Sequence, residues 1–166
     1  MEWYRFIYQL ESAGEVPESR LDRHMLLVFL EDVRASFMTD GNWHDRDYTE
    51  GDIAIIPAYE LLPKTRVDRQ FKLIGLSLEP ATLDRAVGES ADADKIELIP
   101  QLKLRDPLIQ EIGLALKREL EAIGADSKLY AESMAIALSV HLLQRYGTRK
   151  QKIREYTGGL RDVLPH

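Results

Sequence analysis

Four histidines, His24, His44, His141 and His166, are the only imidazoles in the chain, and cysteine is absent. Metal ligands carried on one strand or helix usually come as pairs at i, i+2 or i, i+4, and no two of these histidines stand at either spacing. Without cysteine there is no thiolate zinc site, iron–sulfur cluster, disulfide or thiol nucleophile, a composition that fits a reducing cytosol. The run His44-Asp45-Arg46-Asp47 holds acid, base and ligand types. It follows the Asp40-Gly41 turn, however, where a polar run ordinarily forms a solvated hairpin arm. The chain has no Gly-x-Ser-x-Gly elbow, no phosphate-binding loop and no Gly-x-Gly-x-x-Gly after a strand. Glu11, Glu31-Asp32 and Asp92-Ala93-Asp94 lie beside turn residues and read as surface charge. The residue types therefore predict no catalytic group, no metal and no cofactor.

Binding chemistry is better represented. Trp3, Tyr4, Phe6, Tyr8, Phe29, Phe37, Trp43, Tyr59 and Phe71 all fall in the first half of the chain. Most must build a core, but Trp43 and Tyr59 lie next to turns, where an aromatic ring with a polar handle can stack on and hydrogen-bond a small organic molecule. With His24 as a hydrogen-bonding group and Arg34 as an anion partner, they form the expected ligand-binding set.

The elements that would carry these groups divide at about Pro100. Before it, Trp3–Tyr8, Met25–Leu30, Ala35–Thr39, Ile53–Ile56 and Phe71–Leu78 read as strands, short and rich in β-branched or aromatic residues. Asp40-Gly41 tolerates positive φ and predicts a hairpin between Ala35–Thr39 and Trp43–Asp47. Glu50-Gly51-Asp52 predicts another corner, and Pro57 should end its strand, leaving Ala58–Leu62 as a corner or edge strand. After Pro100 the period becomes helical. Asp106-Pro107 is a helix start, Leu108, Ile112, Leu116, Leu120 and Ile123 form its stripe, and Gly124 stops it. A second helix runs from Ser127 to Gly147, with Tyr130, Met134, Leu138, His141, Leu142 and Tyr146 on one stripe and Leu129, Ile136, Val140 and Leu143 off it. Apolar around more than half its girth, it predicts a subunit interface, assigned to Tyr130, Met134, Leu138, His141 and Leu142. Arg145, Arg149, Lys150, Lys152 and Arg154 then form a basic tail before the joint Thr157-Gly158-Gly159-Leu160.

The 166 residues carry 22 Lys and Arg against 28 Asp and Glu, a net charge of −6, which opposes a general grip on nucleic acid by the chain as a whole. No apolar run approaches the roughly 18 residues of a membrane span, and the first ten residues do not read as an export signal. The expectation is a soluble cytoplasmic protein without membrane contact.

The run Tyr48-Thr49-Glu50-Gly51-Asp52-Ile53-Ala54-Ile55-Ile56-Pro57-Ala58 resembles the second conserved motif of cupin barrels, where a Gly-Asp corner leads into an apolar strand ending in Pro. Metal-binding cupins place a Gly and then a His after that Pro, and here those positions hold Tyr59 and Leu62. The first cupin motif, His-x-His followed by Glu, also has no counterpart, since His24 stands alone. The helical segments from Arg105 to Glu121 and from Leu129 to Tyr146 resemble the helical pair that follows the cupin barrel in AraC-family transcription regulators. In those proteins a phrase like Gly158-Gly159-Leu160 introduces the helix-turn-helix DNA-binding domain, which these residues do not include.

The resemblance implies an α+β chain with a cupin-like β-barrel, a double-stranded β-helix, followed by an antiparallel pair of helices. Residues 1–100 would form the sensor, residues 101–147 the dimerisation helices, and residues 148–166 a basic tail and truncated linker. Its implied role is to sense a small organic effector and to pair as a homodimer, with DNA reached only through a carboxy-terminal domain outside this chain. Two alternatives stand beside it: a DNA-free partner that pairs with full-length regulators, and a small cupin enzyme using His24, His44 and nearby acids.

Overall fold

The computed structural model describes residues 3–81, 83, 97–122 and 127–148. Eleven named strands precede two long helices in the described residues. The strands are β1 (Tyr4–Glu11), β2 (Gly14–Val16), β3 (Ser19–Arg20), β4 (His24–Phe29), β5 (Val33–Thr39) and β6 (Asn42–Tyr48), then β7 (Ile53–Ile56), β8 (Leu61–Leu62), β9 (Thr65–Val67), β10 (Phe71–Leu78) and β11 (Gln101–Leu104). The helices are α1 (Pro107–Ala122) and α2 (Ser127–Tyr146).

A five-stranded antiparallel sheet has the order β1-β10-β4-β7-β11, a four-stranded sheet the order β2-β9-β5-β6, and β3 pairs with β8. The ladders of these sheets do not join into a closed barrel, so the cupin-type architecture is a sandwich of facing sheets. The strand Gln101–Leu104 extends the larger sheet beside β7.

The period of two in the central strands explains why that sheet is covered on both sides. Leu26, Val28, Ile53, Ile55, Ile74, Leu76 and Leu78 turn to one face and pack with Ile109, Ile112, Leu116, Ala135, Leu138 and Leu142 of the helices. Phe29, Ala54, Phe71 and Leu73 turn to the other and pack with Val33, Ala35, Phe37 and Tyr48 of the smaller sheet. Because neighbouring residues of β4, β7 and β10 are buried in opposite directions, these strands read as nearly unbroken apolar runs.

Local chemistry shapes the connections. Asp40 (φ 53°) and Gly41 (φ 79°) supply the two positive-φ residues of a tight hairpin turn, which sets Thr39 opposite Asn42. At the next corner Gly51 has φ 96°, its N–H donates to the Phe29 carbonyl, and a Cβ there would lie 2.5 Å from Arg105 Nη1. The neighbouring Asp52 is buried, accepts hydrogen bonds from Thr49, and pairs with Arg105 Nε at 2.8 Å. This ion pair ties the corner to the segment that enters α1. The expected Asp106-Pro107 start is observed: Asp106 Oδ1 accepts from the N–H groups of Leu108 and Ile109 at 3.1 and 3.2 Å. Ile123, the expected stop at Gly124, the basic residues after Thr148 and the joint 157–160 lie outside the described residues.

Candidate ligand-binding site

The inner face of the larger sheet is covered unevenly. At one end Phe29 stacks on Tyr48 with ring centroids 4.2 Å apart and lies 5.8 Å from Phe71, a dry aromatic block. The Tyr48 hydroxyl donates to the Leu102 carbonyl at 2.8 Å, and burial pushes its pKa up to about 12. Further along the same strands, Phe71 and Phe29 give way to Gly75 and Leu27, which face each other in the ladder. The missing side chain at Gly75 helps leave a cavity of about 380 Å³. That volume lies toward the lower end of the roughly 300–1,000 Å³ typical of small-molecule pockets.

Ile7, Met25, Leu27, Ile56, Leu62 and Leu73 give this cavity an apolar wall, together with Leu21 and Gly75. Its polar lining comes from Gln9 and Glu11 of β1, whose side chains meet as the Gln9 amide donates to the Glu11 carboxylate. Glu11 reads as surface charge in the sequence. The signal that places it here is the alternation Ile7, Gln9, Glu11 along one face of β1, but that face is defined only by pairing β1 with the distant β10.

The four residues expected to bind ligand are divided among other places. None of them lines this cavity. His24 begins β4 and is half-buried, with its Nδ1 accepting the Ala58 N–H at 2.9 Å. Burial lowers its pKa to about 4, so the ring is neutral near pH 7 and holds the corner after Pro57. Tyr59 occupies that corner with φ 67° and is 64% exposed. It is held by its backbone, which donates to Leu21 O at 2.6 Å and accepts from Arg20 at 2.8 Å.

Arg34 and Trp43 belong to the smaller sheet. Val33, Ala35 and Phe37 turn inward, so Arg34 and the cross-strand partners Met38 and Trp43 turn to the outer face. Trp43 lies under the guanidinium of Arg66, 4.1 Å from its ring centroid. Arg34 is already paired with Asp47 at 2.7 Å, beside a polar recess that also includes Asp32, Thr49 and Asp68. The hydrogen bond between Arg34 and Asp47 raises the guanidinium pKa and lowers that of the carboxylate. In place of one convergent pocket, the structure brings His24 to the Ala58–Tyr59 corner and puts Arg34 and Trp43 on an outer face.

The residues expected at a dimer interface are also divided. Leu138 and Leu142 are buried against the larger sheet, Met134 packs beside them, and His141 pairs with Asp106 at 2.8 Å. Leu138 and Leu142 are used by the chain's own core and are not available to a second subunit. Tyr130 remains exposed, together with Leu129, Ile136 and Val140. Among the described residues, no group of three His, Asp or Glu side chains is gathered as a metal-ligand set, and no helix is long and apolar enough to cross a membrane.

This architecture is an α+β cupin-type sandwich followed by an antiparallel helical pair. It is similar to ToxT of Vibrio cholerae, an AraC-family regulator, with a TM-score of 0.57 and 5% identity over 87% of this chain and 58% of that one. A ToxT structure with unsaturated fatty acid bound gives a TM-score of 0.53 and 9% identity over 86% of this chain and 55% of that chain. The likeness is one of fold, and it agrees with the resemblance carried by the helical segments. A cupin-superfamily protein of Desulfitobacterium hafniense covers 48% of this chain and 70% of its own, with 16% identity and a TM-score of 0.38. No protein-family model and no curated protein matches the chain.

Proposed function

We propose that the chain is the effector-sensing and dimerisation module of an AraC-type transcription regulator. The observation that carries this reading is the apolar cavity on the inner face of the larger sheet, closed by Leu21 and by Leu62 of β8, in a ToxT-like fold. A small, largely apolar organic molecule enters that cavity, within the sensor assigned to residues 1–100. The helical segment, residues 101–147, pairs two subunits. DNA is contacted by a helix-turn-helix region outside these residues, so the negative charge of the chain is compatible with a role in transcription. The protein acts without catalysis in the cytoplasm: effector binding changes transcription by favouring one arrangement of the paired subunits over another.

Support for the pairing comes from α2. Leu129, Ile136 and Val140 are 73%, 49% and 37% exposed, and their spacing of seven and four residues keeps them on one stripe. The outer stripe, in place of the buried one containing Leu138 and Leu142, is the face offered to a second copy.

The test is a fluorescence titration of the full chain with an apolar, environment-sensitive dye, combined with thermal unfolding across a panel of small amphiphiles. A cavity ligand displaces the dye and raises the melting temperature with concentration. If no apolar molecule binds, the sensing assignment is wrong.

A further inference from the structure

The polar end of the cavity identifies the head group that fits it. Glu11 is half-buried at the end of β1 and, among the described residues, is the only charged one in the lining. A carboxylate offers acceptors only, and one amide hydrogen of Gln9 is already engaged by it, which leaves the Gln9 carbonyl as an acceptor and its second amide hydrogen as a donor. Among the described residues of the lining, acceptors thus outnumber donors at this end, and the charge is negative. Arg5 shares the inward-turning face of β1 with Ile7, Gln9 and Glu11, but it does not line the cavity. Six steps along the extended strand separate it from Glu11 by about 20 Å.

Resting on the reading of this cavity as the effector site, we infer that its ligand is an apolar molecule with a cationic, hydrogen-bond-donating head, of which a primary alkylamine is the simplest case. The chain of such a molecule lies against Ile7, Leu27, Leu73 and Gly75, and its ammonium group donates to Glu11 and the Gln9 carbonyl. A fatty carboxylate in the same position would set like charges against each other and find only the second Gln9 amide hydrogen to accept from. A neutral alcohol lies between, because it can donate but gains no charge attraction.

The experiment compares decylamine, decanol and decanoate, all below micellar concentrations, as displacers of the dye from the full chain. Decylamine should compete about fivefold more tightly than decanoate, the order expected of an ion pair at a partly exposed site. Its affinity should fall as salt is raised. Glu11→Gln should reduce the preference for decylamine over decanol and over decanoate. Should that variant fold poorly, the salt dependence in the unaltered protein carries the same information. Equal binding of amine and carboxylate, or tighter binding of decanoate, overturns the inference while leaving the cavity as a ligand site. In the latter case a loss of decanoate binding in Arg5→Ala would identify Arg5 as the head-group partner. If neither dye nor any of the three probes binds, the underlying assignment of the cavity fails as well.

Discussion

The Tyr146 hydroxyl donates a hydrogen bond to Oδ2 of Asp106 across 2.6 Å, joining the last turn of α2 to the residue that caps α1. The same oxygen is 2.8 Å from His141 Nε2, while Oδ1 accepts the N–H groups of Leu108 and Ile109. A single buried carboxylate thus orders two helices that run in opposite directions. Burial by itself would raise its pKa, but the hydrogen bonds from Tyr146, His141 and Ile109 outweigh that cost and hold it below the usual carboxylate range. Burial followed by the bond to Asp106 pushes the Tyr146 pKa up to about 12.

Asp106→Ala removes the cap and leaves buried donors without their acceptor, and should destabilise the chain by about 3 kcal/mol. Tyr146→Phe removes one of those bonds and should cost about 1 kcal/mol. Urea unfolding at pH 7 measures both. Because the folded-state pKa of Asp106 is depressed, its contribution is present above the ordinary carboxylate range and is lost as pH falls through the folded value. Asp106→Ala should therefore lose less stability than the unaltered chain on strong acidification. Equal losses would contradict the proposed role of the charge.

His24 sets a separate, milder acid dependence. Its folded pKa of about 4 lies below the ordinary value of 6.5, so the unfolded chain binds more protons between these limits. Stability contributed by the neutral ring is present above pH 6.5 and falls as the pH drops toward 4. Allowing for partial exposure, the loss is of order 2 kcal/mol. Tryptophan fluorescence during urea unfolding should show a shallower slope between these limits for His24→Gln. Parallel slopes would mean that the ring's burial and its bond to Ala58 do not govern protonation.

Much of this arrangement is legible before any coordinates. The Asp40-Gly41 turn specifies Thr39 opposite Asn42, hence Met38 opposite Trp43, and the alternation of Val33, Ala35 and Phe37 sends Arg34 outward. The outer position of Arg34 and Trp43 is therefore inherent in local pattern. The strands β2, β3, β9 and β11 are different. Each has two to four residues and takes its strand character from a partner, as Thr65–Val67 does from Ala35–Phe37. Glu11 gains its place only when β1 meets β10, some sixty residues away in sequence, a pairing that no local period encodes. The two apolar stripes of α2 are likewise visible, but which one the sheet covers is decided by tertiary packing.

The opening at Gly75 provides a direct test of the cavity. A Cβ there would meet Met25 Cε at 3.7 Å and Ile7 Cβ at 3.9 Å, ordinary contacts that require no displacement. Gly75→Leu extends an apolar side chain into the space while reducing the conformational freedom of the unfolded strand. Stability should change by no more than about 1 kcal/mol, whereas dye affinity should fall at least about tenfold through loss of volume. Chemical unfolding and dye titration separate these effects. Undiminished dye binding by a folded variant would locate the dye elsewhere.

The pairing of subunits can be distinguished from the folding of one subunit by substitutions on opposite sides of α2. Ile136 is on the exposed stripe, and Ile136→Asp should leave the monomer folded because its side chain is 49% exposed. At the centre of a dimer seam the same change leaves a carboxylate without a partner, and should raise the dimer dissociation constant at least about thirtyfold. Leu138→Ala is the converse. Leu138 is 2% exposed and packs beneath the helix, so its truncation should cost about 2–5 kcal/mol of folding stability. Sedimentation velocity over a range of concentrations, paired with urea unfolding, resolves the two outcomes. An unaltered protein that stays monomeric throughout excludes self-pairing through this face, whereas Ile136→Asp monomers from a dimeric parent place the seam on the stripe formed by Leu129, Ile136 and Val140.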